Sequence, residues 1–150
     1  MSEGKLLAIW ARKEWGGEMS PLDAANLVEG KGLVEDVSFG GRRQITIIEE
    51  EAWTNVMKQL SSDLPPETRR ANLLVSGISL KESRGQILKI GDCRIKITGE
   101  TKPCAAMDAK LPGLRKALKP DWNGGAFGRV LAGGQILVGE KVLWEDAEEV

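Results

Sequence analysis

Gln86-Ile87-Leu88-Lys89-Ile90-Gly91-Asp92-Cys93-Arg94-Ile95-Lys96-Ile97-Thr98 is the stretch that decides the fold. Two apolar runs flank the turn Gly91-Asp92. In the second run Cys93, Ile95 and Ile97 fall on one face and Arg94 and Lys96 on the other, the period of two that a half-buried strand requires. The stretch reads as two short strands, 86–90 and 93–98, with Cys93 turned toward a core.

Working toward the C-terminus, 99–107 reads as a loop, 111–118 as a short basic helix and 121–125 as a turn. Residues 127–131, 135–138 and 141–144 read as strands, with Gly133-Gly134 as a hairpin turn and 145–150 as an acidic, frayed tail. Toward the N-terminus, 72–80 reads as a strand interrupted at Gly77, and Pro65-Pro66 breaks the chain. Trp53, Val56, Met57 and Leu60 make 49–60 an amphipathic helix with an acidic start. Arg43-Gln44-Ile45-Thr46-Ile47-Ile48 reads as a strand, and 32–41 as turns. Ser20-Pro21-Leu22-Asp23 carries the signals of a helix start, a capping serine and an early proline, with Gly30 as the stop. Residues 5–11 open the chain as a buried strand. Many short strands between glycine turns, with two or three short helices, predict a mainly β fold closed into a β-barrel. Without internal repeats or low-complexity linkers, residues 1–150 read as one domain.

The chain has 150 residues, 41% of them apolar and 29% charged, enough to bury a core without staples. Its 21 basic and 22 acidic residues leave a net charge of −1. Nucleic-acid binding by counterion release needs a basic excess, so no nucleic-acid partner is expected. The apolar stretch Asn72-Leu73-Leu74-Val75-Ser76-Gly77-Ile78 is far below the ~20 residues of a membrane helix. No basic start with an apolar run and cleavage site is seen, so the expectation is a cytoplasmic protein with no membrane partner. There is no histidine. Ser-His-Asp triads, Cys-His pairs and HExxH zinc sites are therefore impossible within this chain.

The two cysteines are not equivalent. Cys93 alternates with isoleucines and reads as a small core residue. Cys104 follows Pro103 in the loop Gly99-Glu100-Thr101-Lys102-Pro103-Cys104-Ala105-Ala106. Proline presents the loop, small alanines leave room around the sulfur, and Lys102 is a cation placed to favour a thiolate. The competing reading is a cysteine merely packed in its loop. Eleven positions separate the two, so no CxxC metal or redox motif exists.

Basic residues recur at Arg42-Arg43, Arg69-Arg70, Lys110, Arg115-Lys116, Lys119 and Arg129, and each alone reads as a solvated surface charge. Arg42-Arg43 and Arg129 stand near glycine pairs, Gly40-Gly41 and Gly124-Gly125. Glycine lets a ligand approach the backbone and arginine grips phosphate bidentately, so a phosphate-bearing ligand is one expectation. Neither GxxxxGK[ST] nor GxGxxG is present.

The ordered set Gly91-Asp92, Thr98-Gly99, Pro103-Cys104, Gly124-Gly125, Gly128-Arg129-Val130 and Gly134-x-Ile136-x-Val138-Gly139-x-x-Val142 resembles the MOSC domain, the C-terminal domain of molybdenum-cofactor sulfurase. Upstream, Gly30-Lys31-Gly32-Leu33, Arg43-Gln44-Ile45-Thr46 and Asn72-Leu73-Leu74-Val75-Ser76-Gly77-Ile78-x-Leu80 extend the likeness over about residues 20–143. The chain looks like a stand-alone member. The resemblance implies a barrel core and matches Cys104 to the family's cysteine. That residue would be a persulfide carrier in molybdenum-cofactor sulfuration or, in cofactor-binding or reductase relatives, the metal ligand. The expected partners are a molybdoenzyme or a cysteine desulfurase, the latter bringing pyridoxal phosphate that this chain cannot hold. The resemblance places Arg70 and Asn72 at the pterin phosphate. Arg43, Lys102 and Arg129 complete the expected cofactor-binding set. One departure stands out. After Gly-Leu the family often reads Gly-Asp-Arg-His, whereas Leu33 is followed by Val34-Glu35-Asp36-Val37-Ser38, and Asp36 alone matches. A non-catalytic barrel adaptor is the third reading.

Overall fold

Cys93, Ile95 and Ile97 are fully buried, and Arg94 and Lys96 between them are half-buried. The alternation read from sequence is thus the inner and outer face of a strand. The computed structural model describes residues 3–145, so all but the first residue of the acidic tail lies outside the described residues. In chain order the strands are β1 (Gly4–Ala11), β2 (Ser20–Leu22), β3 (Ala24–Val28), β4 (Gly32–Leu33), β5 (Ile45–Glu49), β6 (Leu73–Ser76), β7 (Ile87–Ile90), β8 (Cys93–Glu100), β9 (Ala126–Ala132), β10 (Gly134–Leu137) and β11 (Lys141–Trp144). The helices are α1 (Glu50–Gln59), α2 (Ala106–Lys110) and α3 (Leu114–Leu118), with 3-10 turns at Pro66–Arg69 and Pro120–Trp122.

Seven strands close on themselves in the order β11-β7-β8-β9-β5-β6-β1, with β1 pairing back to β11. Closure removes the sheet edges and leaves an interior filled by side chains. Leu6, Ile9, Ile45, Ile47, Leu73, Val75, Leu88, Ile90, Ile95 and Ile97 fill it, all with no exposed surface. Each such side chain stabilises the fold by about 1.5–3 kcal/mol. Every barrel pairing is antiparallel except β5 with β6, which α1 joins as a crossover. Parallel neighbours need such a connection.

Two sequence expectations are corrected. Residues 20–30 are not a helix but β2 and β3. In β3, Ala25 and Leu27 are buried while Asn26 and Val28 are exposed, a period of two. The Glu35 carboxylate accepts from the backbone and side-chain amides of Asn26 at 3.1 and 2.9 Å. Cross-strand pairing to β10 and β4 outweighs the local capping signals of Ser20 and Pro21. Gly133-Gly134 is likewise no hairpin turn, because β10 leaves the barrel and pairs with β3 in a separate three-stranded sheet. A Cβ at Gly133 would lie 2.4 Å from the Leu27 carbonyl oxygen, so this glycine serves close approach of two strands.

Trp53, Val56 and Met57 of α1 pack with Met107 of α2 and Leu114 and Leu118 of α3. The Trp53 indole donates to the Leu64 carbonyl at 2.9 Å. This cluster anchors the segment that follows β8, and so the Cys104 loop. Asn72 fastens the other side. Its Oδ1 accepts from the Thr46 backbone and hydroxyl at 3.0 and 3.1 Å, and its Nδ2 donates to the Trp10 carbonyl at 3.2 Å. One buried amide thereby ties β1, β5 and β6. Asn72→Ala strands those partners in the interior and is expected to cost about 2–3 kcal/mol, from the penalty for unsatisfied buried groups. Urea unfolding measures it. A loss below about 0.5 kcal/mol, the usual surface-substitution range, would contradict this role.

Candidate anion and thiol site

Because β5 and β6 run in parallel, the residues leading into both lie at one end. Arg42 and Arg43 lead into β5, and Arg69, Arg70, Ala71 and Asn72 into β6. Strand β8 reaches the same level: its Glu100 pairs with Ala126, which neighbours β5 at Ile47. Beyond it Thr101, Pro103 and Cys104 fold over. Around these segments lies a cavity of about 570 Å³, completed by Arg12 and Trp15 after β1 and by Gly124 before β9.

Five arginines line this cavity, at positions 12, 42, 43, 69 and 70, and among the described residues no Asp or Glu does. On a chain of net charge −1, that is a strong local segregation. Clefts lined by one sign of charge focus field and concentrate counter-ions.

Four of the five guanidiniums are held, each differently. Arg69 donates from Nε to the Gly124 carbonyl at 3.1 Å and from Nη2 to the Thr101 carbonyl at 2.9 Å. Burial lowers its pKa, the neighbouring Cys104 opposes that, and Arg43 adds to it; arginine stays charged at any working pH. A Cβ on Gly124 would meet the Thr101 carbonyl oxygen at 2.6 Å and Arg69 Nη2 at 3.2 Å. Gly124 is what lets Arg69 lie against the Cys104 loop. Arg43 stacks over the Phe127 ring at 4.8 Å. Arg70 adopts left-handed backbone, φ 62°, and donates to the Gly17 carbonyl. Arg12 reaches Asp36 at 3.3 Å.

Asp36 is buried and collects bonds from the Arg12 amide at 2.8 Å and from the Ser38 amide and hydroxyl at 3.0 and 2.5 Å. Burial on its own raises this carboxyl, but the bonds from Ser38 and Arg12 together hold it below the usual aspartate value. The one residue matching the family pattern after Leu33 is thus an internal clasp. Its guanidinium partner is Arg12, just beyond the end of β1.

Of the residues expected from sequence, Arg43, Arg70, Asn72 and Cys104 share this cavity. Asn72 lines it with an Oδ1 already accepting within the barrel. Lys102 does not share it. It faces a separate recess with Glu100, Arg115 and Lys119, because Pro103 is buried between it and Cys104 and consecutive side chains diverge. Arg129 lies in a third recess with Arg84 and Lys96, carried there by its position along β9. Lys102 and Arg129 thus lie outside the arginine cavity.

Cys104 is exposed and Cys93 is buried. Burial foremost, then the Glu140 and Asp92 carboxylates, raise the Cys93 thiol above its ordinary value. Sequence reasoning gave no role to Arg12 or Thr101, and it reads Trp15 as core or rim packing and not as a stacking platform, whereas Trp15 is exposed at the cavity. The Arg69-Arg70 doublet was weighed as surface charge, and only the fold reveals that Arg69 turns inward. Thr101 is 9% exposed, and its Oγ1 is the one buried side-chain polar atom without a partner among the described residues. Thr101 lines the cavity, but this oxygen itself has no exposed surface and is sealed within the wall.

The MOSC domain family model matches residues 34–143. The chain belongs to the MOSC family. Among solved structures it is similar to the YuaD protein from Bacillus subtilis, with 19% identity, a TM-score of 0.79 and 95% of this chain against 97% of that one. YiiM from Geobacillus stearothermophilus aligns at 18% identity and TM-score 0.74 over 95% of this chain and 75% of that one. YiiM from Escherichia coli aligns at 15% and 0.71 over 95% and 70%. At these identities the likeness establishes the MOSC fold alone. No curated protein matches the chain in sequence. No described helix is long and apolar enough to cross a membrane.

Two outcomes follow from the geometry. In the folded protein a thiol reagent should modify Cys104 at least about 100-fold faster than Cys93, whose reaction must await opening of the core; equal rates by mass spectrometry would contradict the placement. Because the Asp36 pKa is depressed on folding, its contribution is complete above its unfolded value, about 3.9, and is lost as pH falls from there through the folded value. Wild-type stability should therefore decline over that interval more steeply than that of Asp36→Asn, followed by urea midpoints. Parallel declines would contradict the clasp.

Proposed function

We propose that this MOSC protein docks the phosphate-bearing molybdenum cofactor in the arginine cavity and uses Cys104 as a sulfur carrier beside it. The observation behind this reading is an exposed cysteine on the wall of a cavity lined by five arginines and no carboxylate.

The residues fit such a group. Arg43, Arg69 and Arg70, all on the cavity wall, would hold the phosphate. A soft thiolate suits molybdenum, and among the described residues no cluster of three His, Cys, Asp or Glu offers it another protein site. When bound, the cofactor supplies a redox-active metal that accepts sulfur ligands.

The chain's own step is thiol exchange. The Cys104 thiolate attacks the outer sulfur of a donor persulfide, forming a new S–S bond. The donor's S–S bond breaks, and the donor leaves as a thiolate with the electron pair. The donor that fits is a partner cysteine desulfurase, whose pyridoxal phosphate stays with the partner. A reducing compartment such as the cytoplasm keeps Cys104 available for this.

A second reading has Cys104 as a permanent metal ligand in a cofactor-dependent reductase. The place of the sulfur in the cavity wall favours it equally. Molybdenum analysis of protein from a cofactor-producing cell separates the two, since a resident ligand retains stoichiometric metal and a carrier does not.

The carrier reading is tested by incubation with a cysteine desulfurase and cysteine, followed by intact mass. The expected result is a gain of one sulfur atom that is lost on reduction and absent in Cys104→Ala. No gain, or a gain that persists in the variant, would overturn it.

A further inference from the structure

Residues 101–119 carry five basic side chains, Lys102, Lys110, Arg115, Lys116 and Lys119, against one acidic side chain, Asp108. The chain as a whole is balanced, with 21 basic and 22 acidic residues. All five cations are exposed. The Asp108 carboxylate is engaged inside the segment, where it accepts from the Arg115 amide at 3.1 Å. Arg115 and Lys119 stand four residues apart along α3 and its end, so they share one side of that turn. Leu114 and Leu118 turn the neighbouring face into the cluster beneath α1. Arg115, Lys119 and Lys102 line one recess of about 440 Å³ with Pro103 and a single carboxylate, Glu100. Among the described residues none of these three cations is in an ion pair.

This recess and the arginine cavity lie on either side of one strip of chain. Thr101, Cys104 and Met107 line the cavity, whereas Glu100, Lys102 and Pro103 line the recess. The exposed Cys104 stands at the divide. A sulfur carrier has to meet two molecules at one sulfur, first a donor and then an acceptor. With the acceptor in the arginine cavity, the donor is left the other side. Complementary potentials steer an encounter and reject partners of like charge, and the charge on that side is positive. We propose that the recess of Lys102, Arg115 and Lys119 is the docking surface for the sulfur donor, and that the donor is a protein with a carboxylate-rich surface around its persulfide. The inference rests on the carrier reading and adds to it the partner's surface chemistry and direction of approach.

The test uses two short peptides, each with one cysteine activated as a 2-thiopyridyl disulfide. One is rich in glutamate, and the other has glutamine at the same positions. The Cys104 thiolate attacks the peptide sulfur, a new S–S bond forms, and pyridine-2-thione leaves with the electron pair of the broken bond. Its absorbance gives the rate constant, with Cys104→Ala as the blank. The ratio of the acidic to the neutral peptide's rate cancels any change in the thiol's own reactivity. In wild type it should be about 10 at low ionic strength, at the lower end of electrostatic steering, and fall toward one as salt screens the charges. Lys102→Glu/Arg115→Glu/Lys119→Glu should bring it to one or below, and the milder Lys102→Gln/Arg115→Gln/Lys119→Gln should lower it several-fold. A control with the same change in net charge, Lys5→Glu/Lys89→Glu/Lys141→Glu, lies at the other end of the barrel: Lys5 faces Ser76 and Lys141, and Lys89 faces Arg94 at the start of β8. It should keep most of the preference, with circular dichroism confirming that each variant is folded. Equal rates in wild type, a preference that survives in both recess variants, or one lost equally in the control overturns the docking surface. A preference that behaves as expected, without persulfide loading by a desulfurase, removes the carrier reading alone. Loading without the preference removes this inference alone.

Discussion

The parallel pairing of β5 with β6 is the constraint from which the site follows. In an antiparallel pair the approaches to the two strands would lie at opposite ends, and the Arg42-Arg43 and Arg69-Arg70 doublets would be separated by the length of the barrel. Parallel registry of Ile47 with Leu73 brings them together, and the Asn72 amide locks that registry to Thr46 and to Trp10 on β1. Like charges gathered this way repel one another. The fold offsets that by giving Arg69 backbone carbonyls, Arg70 the Gly17 carbonyl, Arg43 an aromatic face and Arg12 a buried carboxylate. These four arginines are therefore positioned before any ligand arrives, which lowers the ordering cost of binding an anion.

The placement of sulfur is a second consequence. Strand β8 ends where it meets the start of β9, and the chain turns through Thr101 and Pro103 to Cys104. The helical cluster of Trp53, Met107 and Leu114 then takes up the chain again. Both cysteines belong to β8 or its exit, eleven residues apart, yet one is sealed in the barrel and the other faces solvent. The difference lies in the backbone, since strand alternation sends Cys93 inward and the loop releases Cys104.

Much of this was legible from residues alone. The alternation across 93–97 identified β8 and the core cysteine, the spacing of Trp53, Val56 and Met57 identified α1, and the ordered motifs identified the family. Ser20-Pro21 misled because capping signals are local, whereas β3 exists only through its partners β4 and β10. Gly133-Gly134 misled for the same reason, its meaning being a close approach to Leu27 and not a turn. Lys102 was assigned by nearness in sequence to Cys104, and the buried Pro103 between them sends the lysine to another recess. Arg12 and Arg69 carried no sign of their roles, since an arginine that turns inward has the same sequence context as one that turns out.

The central claim is that the arginine cavity, with Cys104 in its wall, is where this protein holds an oxyanion-bearing group. Crystals soaked in tungstate test it most directly, because anomalous scattering locates the anion without assuming the ligand. The account places the peak among Arg43, Arg69 and Arg70 beside Cys104, and expects it to vanish in Arg69→Gln. A peak in the Lys102 recess or beside Arg129, with none in the arginine cavity, would contradict it.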